Sequence, residues 1–372
     1  MHQRKEIYYS FTGNGAACNE VSAEAKQHTE TSLNAVMQRQ LISDVPLGTF
    51  LSGGIDSPLI NAFAIKYKKD IASFTIGSDN KDLDESAFAK AYAKHIHIPN
   101  YHQYYTASEL LQQSDEHFNA YSEPFGDFSS LPTFMVSKMA REHFTVMLSG
   151  DGGDEIFWGY PRFLRYADHL KWFDKPVFMR RVIAALERKV KGSKISYSVS
   201  QNTIGDWTKL ALSRNIPGEI IKFFPGFKNT EETSSHYTFS SKGKTKEETL
   251  EWLRYNEFYG HLQGILLKVD RASMYHSLEV RVPFLDKEML EVAGSIKPQL
   301  GIAHRQPKYI LKEMMKDHFP AAIINEKKMG FSVDVNRWLR NELKKDVTDI
   351  FNADDVYPRN TFSMPALRMY ID

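Results

Sequence analysis

The sequence predicts an α/β protein, an open parallel sheet with helices on both faces, followed by a mainly helical C-terminal half. Three observations carry this. Strand-like and helix-like segments alternate from residue 45 to residue 149, which implies parallel strands joined by right-handed crossovers. Two of those strands end in glycine-rich polar loops, 52–57 and 149–155. Beyond Tyr160 the alternation stops.

Taken in order, residues 1–20 are polar and turn-rich and read as a loose lead-in. Val21 to Leu41 reads as a helix with Ser22 as N-cap and Leu33, Val36 and Leu41 on one face. The opening strand is 45–51. Ser57 to Lys68 is a helix, Ile71 to Ile76 a second strand, Asp84 to Ile96 a helix and Tyr101 to Tyr105 a short strand. Thr106 with Glu109 three residues on predicts a capping box. Leu131 to His143 is helical, with Pro132 tolerable in the first turn, and Thr145 to Leu148 is a further strand. Residues 163–172, 176–192 and 205–213 are helical stretches between polar connectors. Glu248 to Met274, Asp286 to Ala293 and Pro307 to Asp317 are helices again. The division expected is a lead-in at 1–20, an α/β core at 21–160 and a helical remainder at 161–372 that packs on the core and completes its site.

The loop Ser52-Gly53-Gly54-Ile55-Asp56-Ser57 leaves a strand and enters a helix. Glycines let backbone N–H groups approach an anion, and a helix N-terminus adds partial positive charge, so the loop reads as a phosphate cradle. It has neither the Gly-Lys-Ser/Thr of a Walker loop nor a G-x-G-x-x-G fingerprint. The second loop, Ser149-Gly150-Asp151-Gly152-Gly153-Asp154-Glu155, offers acids that suit a hard cation such as Mg²⁺ bridging phosphates. Parallel strands bring both loops to one sheet edge, where ligands bind in open α/β sheets.

The bulk numbers exclude other classes. A hydrophobic content of 42% and a charged content of 25% are ordinary for a soluble globular chain. A net charge of +1 gives no global pull toward nucleic acid or membrane. No apolar run reaches the roughly 20 residues of a membrane helix, and the N-terminus has no apolar core of the signal-peptide kind. A single cysteine, Cys18, excludes an intramolecular disulfide and a cysteine-rich metal site and fits a reducing, cytoplasmic location. His95, His97 and His102 straddle a helix end, a loop and a strand with no matching acid spacing, and are not taken as metal ligands.

Ser52-Gly53-Gly54-Ile55-Asp56-Ser57 resembles the S-G-G-x-D-S pyrophosphatase loop of the ATP pyrophosphatases. Ser149 to Tyr160 resembles the S-G-D/E-G-x-D-E-x-F-G-G-Y segment of asparagine synthetases. Lys268 to Met274 with Leu278 to Asp286, and Lys327 to Ser332, are similar to two further blocks of that family. The four motifs run from about 45 to 335. The resemblance implies an ATP pyrophosphatase, adenine-nucleotide alpha-hydrolase-like fold and a ligase. That enzyme adenylates an aspartate-like carboxylate, releases pyrophosphate and passes ammonia to the acyl-adenylate. Its implied cofactors are ATP and Mg²⁺.

It further implies that Ser52, Gly53, Gly54 and Ser57 hold the pyrophosphate, that Leu51 and Ser149 are also nucleotide-binding, and that Asp56 and Asp154 support Mg²⁺. Ile76 and Gly150 would flank the adenosine, and Tyr160 is a further nucleotide-binding residue. Asp151 stands where an acid acts in the second half-reaction, and Lys328 where a lysine stabilises the α-phosphate. Asp270 and Arg271 would form a structural ion pair lining the site, and Arg281 and Asp286 would be structural.

Three departures stand out. Glutamine-using asparagine synthetases carry an N-terminal glutaminase domain opened by Cys after the initiator Met. Here residue 2 is His, and the glutaminase domain is expected to be absent, supplied separately or removed; a homodimer is compatible with the family. Phe125 to Ser130 lacks the arginine expected near aspartate, which turns attention to amide ligases or cyclases of the β-lactam-synthetase or lasso-peptide-cyclase kind. A non-catalytic synthetase-like subunit is the remaining alternative. Trp158 stands where glycine is usual and could narrow the pocket mouth, and Pro58 stands where serine is usual.

Overall fold

A computed structural model describes residues 10–11, 22–80, 84–123, 125–191, 200–213, 217–227, 239, 244–324, 333–352, 362–363 and 365–366. The described residues divide into two compact units, one drawn from 1–165 and 247–333, the other from 166–246 and 334–372.

The first unit is built on strands β1 (Leu47–Phe50), β2 (Ser73–Ser78), β3 (Asn100–Tyr105), β4 (Val146–Leu148) and β5 (Glu279–Arg281). They form one sheet in the order β3-β2-β1-β4-β5, every pairing parallel. The predicted sheet is therefore present, with one strand more. Glu279-Val280-Arg281 is too short to show strand periodicity, and it is a strand because it pairs with Val146-Met147-Leu148. Chain order reverses between β1 and β4, which makes their shared C-terminal end the switch point of the sheet.

Helices α1 (Ser22–Gln40), α2 (Asp56–Tyr67) and α3 (Ser86–His95) fall where their periodicity placed them. Both faces of the sheet are covered. Thr49 meets Asn61 of α2, donating from its hydroxyl to the amide oxygen. The next residue, Phe50, points to the opposite face. It packs there with Phe74, Met147 and Val280 against Val136, Met139 and Ala140 of the helix Ser130–Arg141. β1 is buried at Leu47, Gly48 and Thr49 and partly covered at Phe50, because helices press on it from both sides. Thr106 and Glu109 make the predicted capping box, each side chain accepting the other's backbone N–H.

In the second unit, the Ile204–Leu212 helix opens on a further capping box, Thr203 with Asp206. Trp207 stacks on Phe173 and meets Tyr166 edge-on. Arg180 is 1% exposed and donates to the backbone carbonyls of Lys175, Gln201 and Asn202. Among the described residues of this unit there is no strand.

Candidate active site

β1 and β4 are neighbours in register, Leu47 opposite Val146 and Thr49 opposite Leu148. The loops that follow them therefore leave the sheet side by side. In the first loop the Ser52 N–H donates to Ser57 Oγ at 2.8 Å, the two hydroxyls lie 3.0 Å apart, and the Gly54 N–H donates to Ser52 Oγ at 3.2 Å. Leu51 anchors this loop: its N–H donates to the Phe74 carbonyl and its own carbonyl accepts from Thr75 Oγ1. No side chain caps the N-terminus of α2, which starts at Asp56, one residue after the glycines. Pro58 sits in the first turn, where an N–H has no intrahelical partner to lose.

The second loop packs onto the first so closely that glycine is required. A Cβ on Gly150 would lie 2.7 Å from the Ser57 nitrogen, and one on Gly153 would lie 2.5 Å from Asp56 Oδ1. Gly152 adopts φ +88°, and a side chain there would strike Leu285. The adjacency predicted for the two loops is thus direct contact. Ser149 is tied to the sheet through its N–H on the Arg281 carbonyl, and its hydroxyl donates to Asp151 Oδ2.

Asp56 and Asp154 face one cation, the ammonium of Lys308. Lys308 Nζ contacts Asp56 Oδ2 and lies 2.8 Å from Asp154 Oδ1. Lys308 stands just before the helix Tyr309–His318 in a left-handed conformation, φ 56°, and its side chain is 7% exposed. Burial disfavours its charged form, but Asp154 and Asp56 outweigh burial and raise its pKa. Gly159 makes room for this cluster, since a Cβ there would overlap both Asp154 Oδ1 and Lys308 Cε. Sequence reading missed Lys308. Nothing in Pro307-Lys308-Tyr309 marks it, and the available signal was indirect, two acids expected at one edge with Mg²⁺ but no side-chain cation assigned to them.

A second cluster lies around Asp151. Burial raises its pKa, with Glu155 and Asp154 adding to the effect, while the Lys268 charge and the Ser149 hydroxyl oppose it. Lys268 Nζ donates to Ser129 Oγ at 2.8 Å and lies 3.5 Å from Asp127 Oδ2. Burial pushes the Asp127 carboxyl up, but Lys268 and the hydroxyl and N–H of Ser129 prevail and hold it below the usual carboxylate range. The altered segment Phe125 to Ser130 is therefore tied to the Lys268 block.

The remaining expected residues are placed as follows. β2 continues four residues beyond Phe74, the partner of Phe50 at the end of β1, so Ile76 lies alongside the glycine loop, half-buried against the core. Tyr160 donates its hydroxyl to Glu155 Oε1, beside a buried network in which Arg162 grips Glu257 and His261 lies 3.4 Å from Glu257. Asp270 and Arg271 are both exposed on the helix Leu262–Tyr275, and among the described residues no ion pair joins them. Lys268 is the charged side chain of that block that turns inward. Arg281 donates to the carbonyls of Gln40 and Ile42, and Asp286 caps the helix Lys287–Ser295, so both are structural. Trp158 is fully buried, with its ring over the Arg254 guanidinium and against Gly301. It fills the core and does not narrow a pocket mouth. Lys328 lies outside the described residues.

The arrangement supplies anion donors at a helix N-terminus, two carboxylates that already bracket a cation, and a half-buried acid, Asp151, a few residues away. Among the described residues no cluster of three or more His, Cys, Asp or Glu could hold a metal by itself. Mg²⁺ commonly uses one or two carboxylates and takes its other ligands from phosphates and water. Asp56 and Asp154, with a cationic group between them, fit that requirement.

Comparison with known proteins bears on the same residues. The family model for asparagine synthase matches residues 28–372. Asparagine synthetase [glutamine-hydrolyzing] 1 of Bacillus subtilis is 30% identical over 338 residues, covering 87% of this chain and 52% of that protein. A putative asparagine synthetase [glutamine-hydrolyzing] of Mycobacterium bovis is 30% identical, over 87% of this chain and 51% of that protein. A second putative one, from Methanocaldococcus jannaschii, is 36% identical over 44% of this chain and 30% of that protein. The chain spans about half the length of the first two relatives. Among solved structures, NMN synthetase from Francisella tularensis aligns with a TM-score of 0.29 and 14% identity over 68% of this chain and 92% of that one, too slight a likeness to support an argument.

Proposed function

Given that the chain belongs to the asparagine synthase family, we propose that it is an ATP-dependent, AMP-forming amide synthetase that activates an aspartate-like carboxylate and transfers ammonia to it. The observation that carries this reading is the meeting of the Ser52–Ser57 loop with Asp56, Lys308 and Asp154 at the switch point of the sheet. A substrate carboxylate oxygen attacks the α-phosphorus of ATP, and the bond to the bridging oxygen breaks with its electron pair leaving on pyrophosphate. Negative charge grows on the leaving group, where preorganised donors stabilise it most. Ser52 and Ser57 hydroxyls, the Gly54 N–H and the α2 N-terminus lie at that place and exchange their mutual hydrogen bonds for phosphate oxygens. Lys308 adds its charge beside them. Asp56 and Asp154 would hold Mg²⁺, which neutralises phosphate charge when bound. Lys328 is assigned to the α-phosphate by resemblance alone.

In the second half-reaction the ammonia lone pair forms a C–N bond, the acyl C–O bond to AMP breaks, and the proton shed by nitrogen passes to the Asp151 carboxylate. The relatives' names describe glutamine hydrolysis, and ammonia here would come from solution or from a glutaminase carried elsewhere. A second reading, an amide ligase or cyclase acting on another carboxylate, is favoured by one observation. Asp127 and Ser129 occupy the segment where aspartate-binding arginine is expected, and their side chains are committed to Lys268.

The test is pyrophosphate release from Mg-ATP across a panel of carboxylic acids with ammonium. Release with aspartate, and asparagine as product, is the expected result; release with a different acid alone moves the assignment to the second reading. No release with any acid from a folded chain overturns both. Asp56→Ala is expected to abolish release while the circular dichroism of the chain is kept.

A further inference from the structure

We propose that β3 is an interaction surface for a second copy of this chain: two β3 strands pair antiparallel about a two-fold axis at His102 and join two sheets into one. This inference goes beyond the proposed reaction and does not depend on it.

The sheet has two edges, β3 and β5, and they are built differently. β5 is three residues long, with Glu279 and Arg281 at its ends, and Arg281 donates to the carbonyls of Gln40 and Ile42. Short, charged edges resist the addition of a further strand. β3 runs six residues, Asn100 to Tyr105, and holds no lysine, acid or proline. Its register on β2 is continuous from Asn100 to Tyr105, so no bulge interrupts it. Tyr101, His102, Gln103 and Tyr104 are exposed in succession, which leaves both faces of this stretch open. Tyr101 is 41% exposed and Tyr104 48%.

Hydrogen-bond alternation decides which backbone groups of β3 are free. The Ser73 N–H donates to the Pro99 carbonyl, and Ser73 lies opposite Asn100. In a parallel pair this commits the N–H groups of Tyr101, Gln103 and Tyr105 to β2. The N–H and C=O groups of Asn100, His102 and Tyr104 point outward, and among the described residues no other element bonds to them.

These free groups are evenly spaced about His102, and such an edge is complementary to itself. Turned about a two-fold axis normal to the sheet, His102 meets the partner's His102, and Asn100 meets the partner's Tyr104. Each couple exchanges two N–H···O=C bonds, so every outward group finds a partner. His102 already meets Tyr104 edge-on, ring centroids 6.0 Å apart. The pairing sets two such couples side by side on one face, where cross-strand aromatic neighbours stabilise a sheet. No like charges meet, because the strand carries none. Both copies use the same strand, so the assembly closes as a dimer. The C-terminal ends of β1 then point opposite ways in the two halves, and the two candidate active sites face away from each other.

The test is sedimentation velocity of the full chain, joined to disulfide cross-linking in a Cys18→Ser background. Directly paired residues of this kind have Cα atoms about 5.5 Å apart, within disulfide reach. His102→Cys is expected to give a covalent dimer under mild oxidation. Tyr104→Cys is expected to give none, because its two copies would lie about 14 Å apart. His102→Pro removes an outward N–H and leaves the ladder to β2 intact, so it should turn the dimer into a monomer with unchanged circular dichroism. His102→Lys sets like charges opposite each other and should do the same without touching the backbone. A wild-type chain that stays monomeric at micromolar concentration leaves this edge to a strand of another protein and overturns the proposal. Cross-linking through Tyr104→Cys in place of His102→Cys, a dimer that survives both His102→Pro and His102→Lys, or assembly beyond two copies overturns it as well.

Discussion

Replacing Lys308 by methionine removes the cation from between Asp56 and Asp154 while keeping the length and much of the volume of the side chain. The ammonium is 7% exposed and the carboxylates 14% and 19% exposed. At an effective dielectric of about 20, unit charges 2.8 Å apart, as in the Asp154 contact, attract by roughly 6 kcal/mol gross. Desolvating the ammonium, and the repulsion between the two acids, cancel more than half of the sum. What remains is on the order of the 3–5 kcal/mol typical when one partner of a buried ion pair is removed. Lys308→Met is therefore expected to lower the Tm by roughly 5–10 °C, at about 2 °C per kcal/mol for a unit of this size. Methionine retains a Cβ, so the left-handed backbone at this position is strained equally in both proteins.

Calorimetry with and without millimolar Mg²⁺ decides the matter. Mg²⁺ should raise the Tm of Lys308→Met more than that of wild type, because the vacated carboxylate pair then has no competing ammonium. If Lys308→Met melts within about 1 °C of wild type, or if Mg²⁺ leaves the variant unmoved, the electrostatic account of this cluster is wrong.

Two further expectations test other parts of the site and fold. In Gly153→Ala the new Cβ would lie 2.5 Å from Asp56 Oδ1, so the carboxylate must shift; pyrophosphate release should fall roughly 100-fold, as for displacements of about 1 Å in other active sites, and unchanged release would show that the Asp56 position is not critical. His318 has its pKa lowered to about 4 by burial first and by Lys66 next. The fold therefore favours the neutral ring: this contribution is complete above the unfolded value near 6.5 and is lost as pH falls from there toward 4. With a discount for residual solvent screening the loss is roughly 2 kcal/mol, and His318→Gln should flatten the fall in Tm between pH 6.5 and pH 4; an identical acid limb in the variant would exclude His318 as its source.

Much of this protein was legible in its sequence because its signals are local. Helix α1 follows from apolar spacing, the Thr106 start from one capping box, and the parallel sheet from the alternation of strand and helix patterns. The two glycine-rich loops were legible as well, because parallel strands deliver their C-terminal ends to one edge whatever the side chains are.

The rest depended on contacts between distant stretches. β5 is a strand only because β4 offers it a partner, and three residues carry no period of their own. Trp158 stands where glycine is usual, and its neighbours alone cannot show that its ring lies over Arg254 and against Gly301. Lys308 lies 252 residues after Asp56, and a lysine's burial is set by what folds around it. Lys268, 139 residues after Ser129, turns inward while Asp270 and Arg271 beside it face solvent, a choice made by helix phase against the turn at 127–129. The sequence by itself determined four strands of the sheet and the meeting of its two glycine-rich loops at one edge. Only the tertiary structure decided which cations answer those acids, because charge pairing across the chain is a property of proximity, and proximity is what folding supplies.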